Sequence, residues 1–208
     1  MRLLALLLLL LAAPLRAEGE RPGDFDYYVL ALSWSPNWCA REGDARDAAQ
    51  CARDLGWSLH GLWPQFERGW PSFCPTAERA PSRAMTGAMA DIMGSGGLAW
   101  HQWRKHGTCA GTSAAAYFEA ARNAYGRVTR PPVLRELDRQ FRIPAKVIED
   151  AFLQTNPALA PDMITITCRD GYIHEARICL AKDLTPRPCG ADVRRDCVAE
   201  DALFDPVR

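Results

Sequence analysis

Three of the chain's four histidines fall in two short blocks about forty residues apart. The first, WSLHGLWPQ, holds His60; the second, WHQWRKHGTC, holds His101, Lys105 and His106. Imidazole titrates near neutrality, so two of them can supply a general base and a general acid to one reaction. Cations beside them suit a reaction in which negative charge grows. Cleavage of RNA through its own 2′-hydroxyl has these requirements. It needs a base for the 2′-hydroxyl, an acid for the departing 5′-oxygen and donors around the phosphorus. No metal is needed in principle, and a well-placed acid or base contributes ~10²–10⁴ in rate.

Those groups must be carried by defined elements. The stretch from Leu98 to Lys105 has no helix breaker, so a helix is predicted up to Gly107. Residues four apart share a helix face, which sets His101 beside Lys105 and Gln102 beside His106. Leu55 to Trp63 reads as a strand closed by Pro64, with His60 near its end. Gly61 next to it would let a phosphate or base approach the backbone. Asp26 to Trp34 reads as a buried strand, and ITITC and YIHEARICL as a hairpin turning at Arg169-Asp170-Gly171. Further helices are predicted over Met85 to Met93, Ala114 to Arg127, Pro131 to Phe141 and Pro144 to about Gln154. Arg41 to Arg53 is expected as an exposed loop or irregular turn, and the proline-bearing Gly69 to Ser82 as a loop. Strands at both ends with helices between them argue for an α+β fold, a mainly antiparallel sheet with flanking helices.

The ends and the composition bound the class. Arg2, the apolar run Leu3–Ala13 and the small Ala17 before a polar segment have the form of a secretory signal peptide, with cleavage expected after Ala17. The run is shorter than the ~20 residues of a membrane span. Removing residues 1–17 of the 208 leaves 191, read as a single domain over 18–208. The leader carries Arg2 and Arg16, so the remainder has 23 basic against 25 acidic side chains. A surface so balanced does not suit a tight nucleic-acid binder, and RNA would be held in a local cleft. Eight cysteines, an even number in an exported chain, argue for four disulfides, while the absence of C-x-x-C disfavours a zinc ribbon. Spacing alone leaves 105 pairings open.

The two blocks resemble the paired active-site segments of the ribonuclease T2 family. HGLWP is met at His60–Pro64, and the pattern His-Glu-Trp-x-Lys-His-Gly-Thr-Cys is met at His101, Trp103, Lys105, His106, Gly107, Thr108 and Cys109. LALSWSP in the first strand is also similar, and the resemblance spans roughly residues 25–200. It implies that His106 is the base, His60 the acid, and that His101 and Lys105 bind phosphate. It further implies the disulfides Cys74–Cys109, Cys39–Cys51, Cys168–Cys197 and Cys179–Cys189. One position departs: Gln102 stands where the family has glutamate, which removes a charge but keeps hydrogen-bonding capacity towards phosphate. Reduced activity with a shifted pH optimum is expected from it.

Trp57 and Trp100 are expected in the core, Trp63 as a base-stacking surface, and Trp103 as either. His174, with no accompanying motif, is read as structural. A zinc site from His60, His101 and His106 is disfavoured, since His101 and His106 are five apart rather than four. No cofactor, metal or DNA is expected, and a monomer is. The leading reading is an exported endoribonuclease of low base preference, secreted or periplasmic and free of the membrane once the leader is cut. Its competitors are an impaired RNA-binding descendant and an unrelated cysteine-rich module.

Overall fold

The computed structural model describes residues 21–208. The expected leader lies outside the described residues. Among them, no helix is long and apolar enough to cross a membrane.

Strand β1 (Tyr27–Trp34) is aromatic and branched and buried along most of its length, which is why it sits inside the sheet. It pairs antiparallel with β2 (Trp57–Gln65) on one side. On the other it pairs antiparallel with β5 (Tyr172–Leu180), which in turn carries β4 (Ile164–Arg169). Asp170 and Gly171 both have positive φ, 52° and 81°, the geometry expected of a two-residue hairpin turn between β4 and β5. Pro64, expected to close β2, lies inside it. The strand pairs only with β1 and is therefore an edge, where a missing N–H costs no ladder bond.

Two short strands complete the sheet. Phe141–Ile143 (β3) pairs with Ala202–Phe204 (β6), and β6 meets β5 through one parallel bridge, Tyr172 to Leu203. This corrects the helix predicted from Pro131 to Phe141. Only a single 3-10 turn forms at Pro132–Arg135, because Leu134 alone of that turn is buried and no apolar stripe continues it. The loop or irregular turn expected over Arg41–Arg53 is a run of irregular turns tied by Cys39–Cys51. Four-residue α1 (Ser35–Trp38) runs into a chain of short π and 3-10 turns.

The helices cover one face of the sheet. α2 (Arg83–Ala88) and α3 (Ala90–Met93) divide the single helix expected there, and α4 (Gly96–Lys105), α5 (Ala114–Arg127) and α6 (Ala145–Thr155) follow. Ser82, Ser95 and Ser113 accept backbone N–H bonds at the starts of α2, α4 and α5, which explains where each begins. Trp57, Trp103, Tyr117, Phe152 and Phe204 fill the core between helices and sheet. Trp100, expected there, is 40% exposed because it lies on the outer face of α4. All four implied disulfides are present: Cys39–Cys51, Cys74–Cys109, Cys168–Cys197 and Cys179–Cys189.

Candidate active site

His60 reaches its position through an irregularity in β2. Ala31 pairs with Gly61 but Leu32 pairs with Leu59, so His60 is the extra residue of a β-bulge. Strict alternation would put Leu59 and Leu62 on opposite faces; with the bulge both are fully buried. The extra residue turns His60 to the face that also carries Trp63 and Arg177. The other half of the site comes from α4. Its outer stripe, His101 and Lys105, is exposed or half-buried, while its inner stripe, Gln102 and His106, is buried. Cys109, just past this end, is bonded to Cys74, and the backbone N–H of Phe73 donates to the Lys105 carbonyl at 2.8 Å. The proline-bearing loop is thereby fastened to the helix end.

These elements enclose a cleft of about 280 Å³ lined by His60, Trp63, His101, Gln102, Lys105, His106 and Arg177, with Gln65, Trp70, Asp192, Val193 and Val29. Every predicted histidine and lysine of the two blocks therefore faces one space. Trp63 joins the two halves. Its ring stacks on His106 with centroids 5.2 Å apart and 24° between planes, and it meets His60 edge-on, also at 5.2 Å. Its indole N–H donates to Gln102 Oε1 at 2.7 Å. A Cβ on Gly61 would lie 2.2 Å from that oxygen and 2.3 Å from Trp63 Nε1. The bare Cα expected to admit a ligand instead admits these two side chains. Trp103, left open between core and cleft, is 2% exposed and packs against Tyr117.

The electrostatics of the two principal histidines differ. Burial, with the charges of Lys105, His60 and His101, pushes His106 down to about 3. A helix C-terminus favours a cation by only ~0.3–1 kcal/mol, less than the ~1.4 kcal/mol of a single pKa unit, so burial prevails. His106 is neutral through the mildly acidic range, and its Nδ1 has no hydrogen-bond partner among the described residues. His101 is lowered too, by burial first and then by Lys105 and His60. His60 Nδ1, in contrast, makes a short hydrogen bond to Glu175 Oε1. Burial opposes ionisation of Glu175, yet His60, Arg177 and His174 together hold its carboxyl down to about 2.

Sequence reasoning missed Glu175 and Arg177. A signal was present: two charged residues two apart, on one face of a strand otherwise rich in apolar side chains. His174, read as structural, is half-buried with its Nδ1 3.9 Å from Glu175 Oε2. The nitrogens of His60, His101 and His106 do not form a three-donor cluster. The one group of that kind among the described residues is Cys39, Asp44 and Cys51, whose thiols are spent in a disulfide.

The Ribonuclease T2 family profile matches residues 25–189. A ribonuclease of Aeromonas hydrophila is 49% identical over 118 residues, 54% of this chain and 53% of that protein. Ribonuclease I of Escherichia coli is 29% identical over 148 residues, 51% of this chain and 55% of that protein. The chain thus spans about half the length of these curated relatives. Among solved structures, an RNase-related protein from Calystegia sepium superposes with a TM-score of 0.68 at 18% identity, covering 88% of this chain and 98% of that one. RNase NT in complex with 5′-AMP gives 0.66 at 20% identity, covering 88% and 99%.

Proposed function

The chain belongs to the ribonuclease T2 family, and on that premise we propose that it is an exported, metal-independent endoribonuclease acting on single-stranded RNA. The observation that carries this reading is the convergence of His60 and His106 on one cleft, each 5.2 Å from the Trp63 ring, with His101 and Lys105 in its wall. A nucleic-acid binder needs cations but no neutral base opposite a second imidazole.

The neutral ring of His106 takes the 2′-hydroxyl proton as the 2′-oxygen attacks phosphorus. Protonated His60 gives its proton to the 5′-oxygen as the P–O5′ bond breaks, leaving a 2′,3′-cyclic phosphate and a free 5′-hydroxyl. His101 and Lys105 offset the charge that grows on the phosphoryl oxygens. Burial holds His106 neutral first and the nearby cations second; the incoming phosphate counters those cations, so the base strengthens as substrate arrives. DNA, lacking the 2′-hydroxyl, is not cut. The cleft wall offers the exposed Trp70 as a stacking surface indifferent to base identity, which supports low base preference.

Four disulfides and the leader-like N-terminus support action outside the cytoplasm, in the periplasm or the medium. The proposal is of one catalytic domain over 18–208 that acts as a monomer. The test uses oxidised protein, excess chelator and matched oligonucleotides. Unmodified RNA should be cut to cyclic-phosphate ends and 2′-O-methyl RNA should stay intact. Cleavage of both alike would refute a 2′-hydroxyl nucleophile.

A further inference from the structure

Glu175 is fully buried in the middle of β5, two strands away from His60. Taking a carboxylate out of water is costly unless its oxygens are partnered. Here the two oxygens are divided. Oε2 accepts Arg177 Nε at 2.9 Å and Arg177 Nη2 at 2.7 Å, while Oε1 accepts His60 Nδ1. A purely structural pair would be complete with the arginine. The second oxygen is turned towards a residue of the cleft. Between them runs β1, where Ala31 pairs with Gly61 on one side and with Arg177 on the other. Only a methyl group stands at the crossing point, which leaves the imidazole room to reach over the strand.

Resting on the reading of His60 as the acid, we propose that Glu175 is a positioning residue for that acid. It fixes the ring with its proton on Nδ1 and leaves Nε2, the nitrogen without a protein partner among the described residues, to deliver the proton. Arg177 anchors the carboxylate and lies with its guanidinium 5.4 Å from the Trp63 ring centroid, so the same strand also braces the cleft wall. The arrangement has the logic of any acid–base imidazole oriented by a buried carboxylate. The charged and titratable groups around His60 are Glu175, Arg177 and His174 from β5, His101, Lys105 and His106 at the end of α4, Asp192 in the cleft wall, and Glu42 and Arg169 across the neighbouring cavity. Glu175 is the anion hydrogen-bonded to the His60 ring, so its loss removes the contact that most directly favours protonated His60.

The experiment compares Glu175→Gln with wild type in kcat, KM and pH profile. Expected are a kcat lower by roughly 10–100-fold, KM for RNA within about twofold, and an alkaline limb of kcat displaced to lower pH. A merely structural carboxylate would not move that limb. Folded Glu175→Gln with wild-type kcat and an unmoved limb overturns the proposal. Should Glu175→Gln fail to fold, imidazole ¹⁵N NMR of the wild-type protein reads the same claim, the His60 signals being assigned by their loss in His60→Asn. A protonated, hydrogen-bonded Nδ1 with Nε2 as the titrating nitrogen supports it; a bare Nδ1 overturns it. If His60→Asn cleaves RNA normally, the reading of His60 as the acid fails, whatever the ring's tautomer. If His60→Asn is inactive and Nδ1 is bare, only the role of Glu175 fails.

Discussion

The ring of Trp63 lies nearly parallel to that of His106, 24° between planes and 5.2 Å between centroids, and its N–H is tied to Gln102 one turn before that histidine. His106 is thus oriented by stacking, whereas His60 is oriented by a hydrogen bond. Trp63 thus links the position of Gln102 to that of the His106 ring.

Gln102→Glu should keep the bond to Trp63, since a carboxylate still accepts from the indole. It would place an anion near a ring that burial and cations hold neutral. An opposite charge favours imidazolium, so the acid limb of kcat should move to higher pH. A pH–rate series on the two proteins measures this, and superimposable profiles would remove Gln102 from the tuning of His106.

Gly61→Ala puts a methyl where Gln102 Oε1 and Trp63 Nε1 already sit, within 2.2 and 2.3 Å. Gln102 is 2% exposed, so its amide has little space to yield. Overpacking of this kind costs about 1–3 kcal/mol, read from denaturant unfolding, and kcat should fall with the displaced indole. A variant of unchanged stability and activity would show that the contact is loose.

Acid should weaken the fold in a defined window. His106 titrates at about 3 in the folded chain against an ordinary 6.5, so the unfolded state binds the extra proton between those values. Stability therefore falls as pH drops from about 6.5, by at most ~1.4 kcal/mol per pH unit for this one group. Glu175, held at about 2 against an ordinary 4.5, adds a second loss below 4.5. His101 and His174 are also lowered and act in the same sense as His106. Urea midpoints of His106→Asn should be flatter between pH 6.5 and 4.5 than those of the wild type, though not level.

Cys74→Ser with Cys109→Ser opens a bridge spanning 35 positions. On the chain-entropy argument this destabilises by roughly 4 kcal/mol. It also frees the loop that carries the Phe73 N–H to Lys105, so KM should rise with it. Equal unfolding midpoints for oxidised wild type and the double variant would contradict this.

Much of the site could be read from residue types, because the two histidine blocks are continuous and α4 obeys helical spacing. The hairpin was equally legible, since an Asp-Gly pair tolerates the positive φ that its turn requires. What escaped notice depends on contacts distant in the chain. Nothing local announces that His60 is the extra residue of a bulge; that follows only when Leu59 and Leu62 are both found in the core. Glu175 acquires its meaning from a histidine 115 positions away. Strands of three residues such as β3 and β6 carry no period to detect, so the segment from Pro131 to Phe141 reads as a helix from its sequence.

Cleavage of RNA in excess chelator by the oxidised wild type and by His60→Ala/His106→Ala, with the product ends identified, bears most directly on the whole. The wild type should yield 2′,3′-cyclic phosphates, and the double variant should lose at least ~10⁴ in rate while remaining folded. Undiminished turnover by the double variant, or products without a cyclic intermediate, would contradict acid–base catalysis by these two imidazoles.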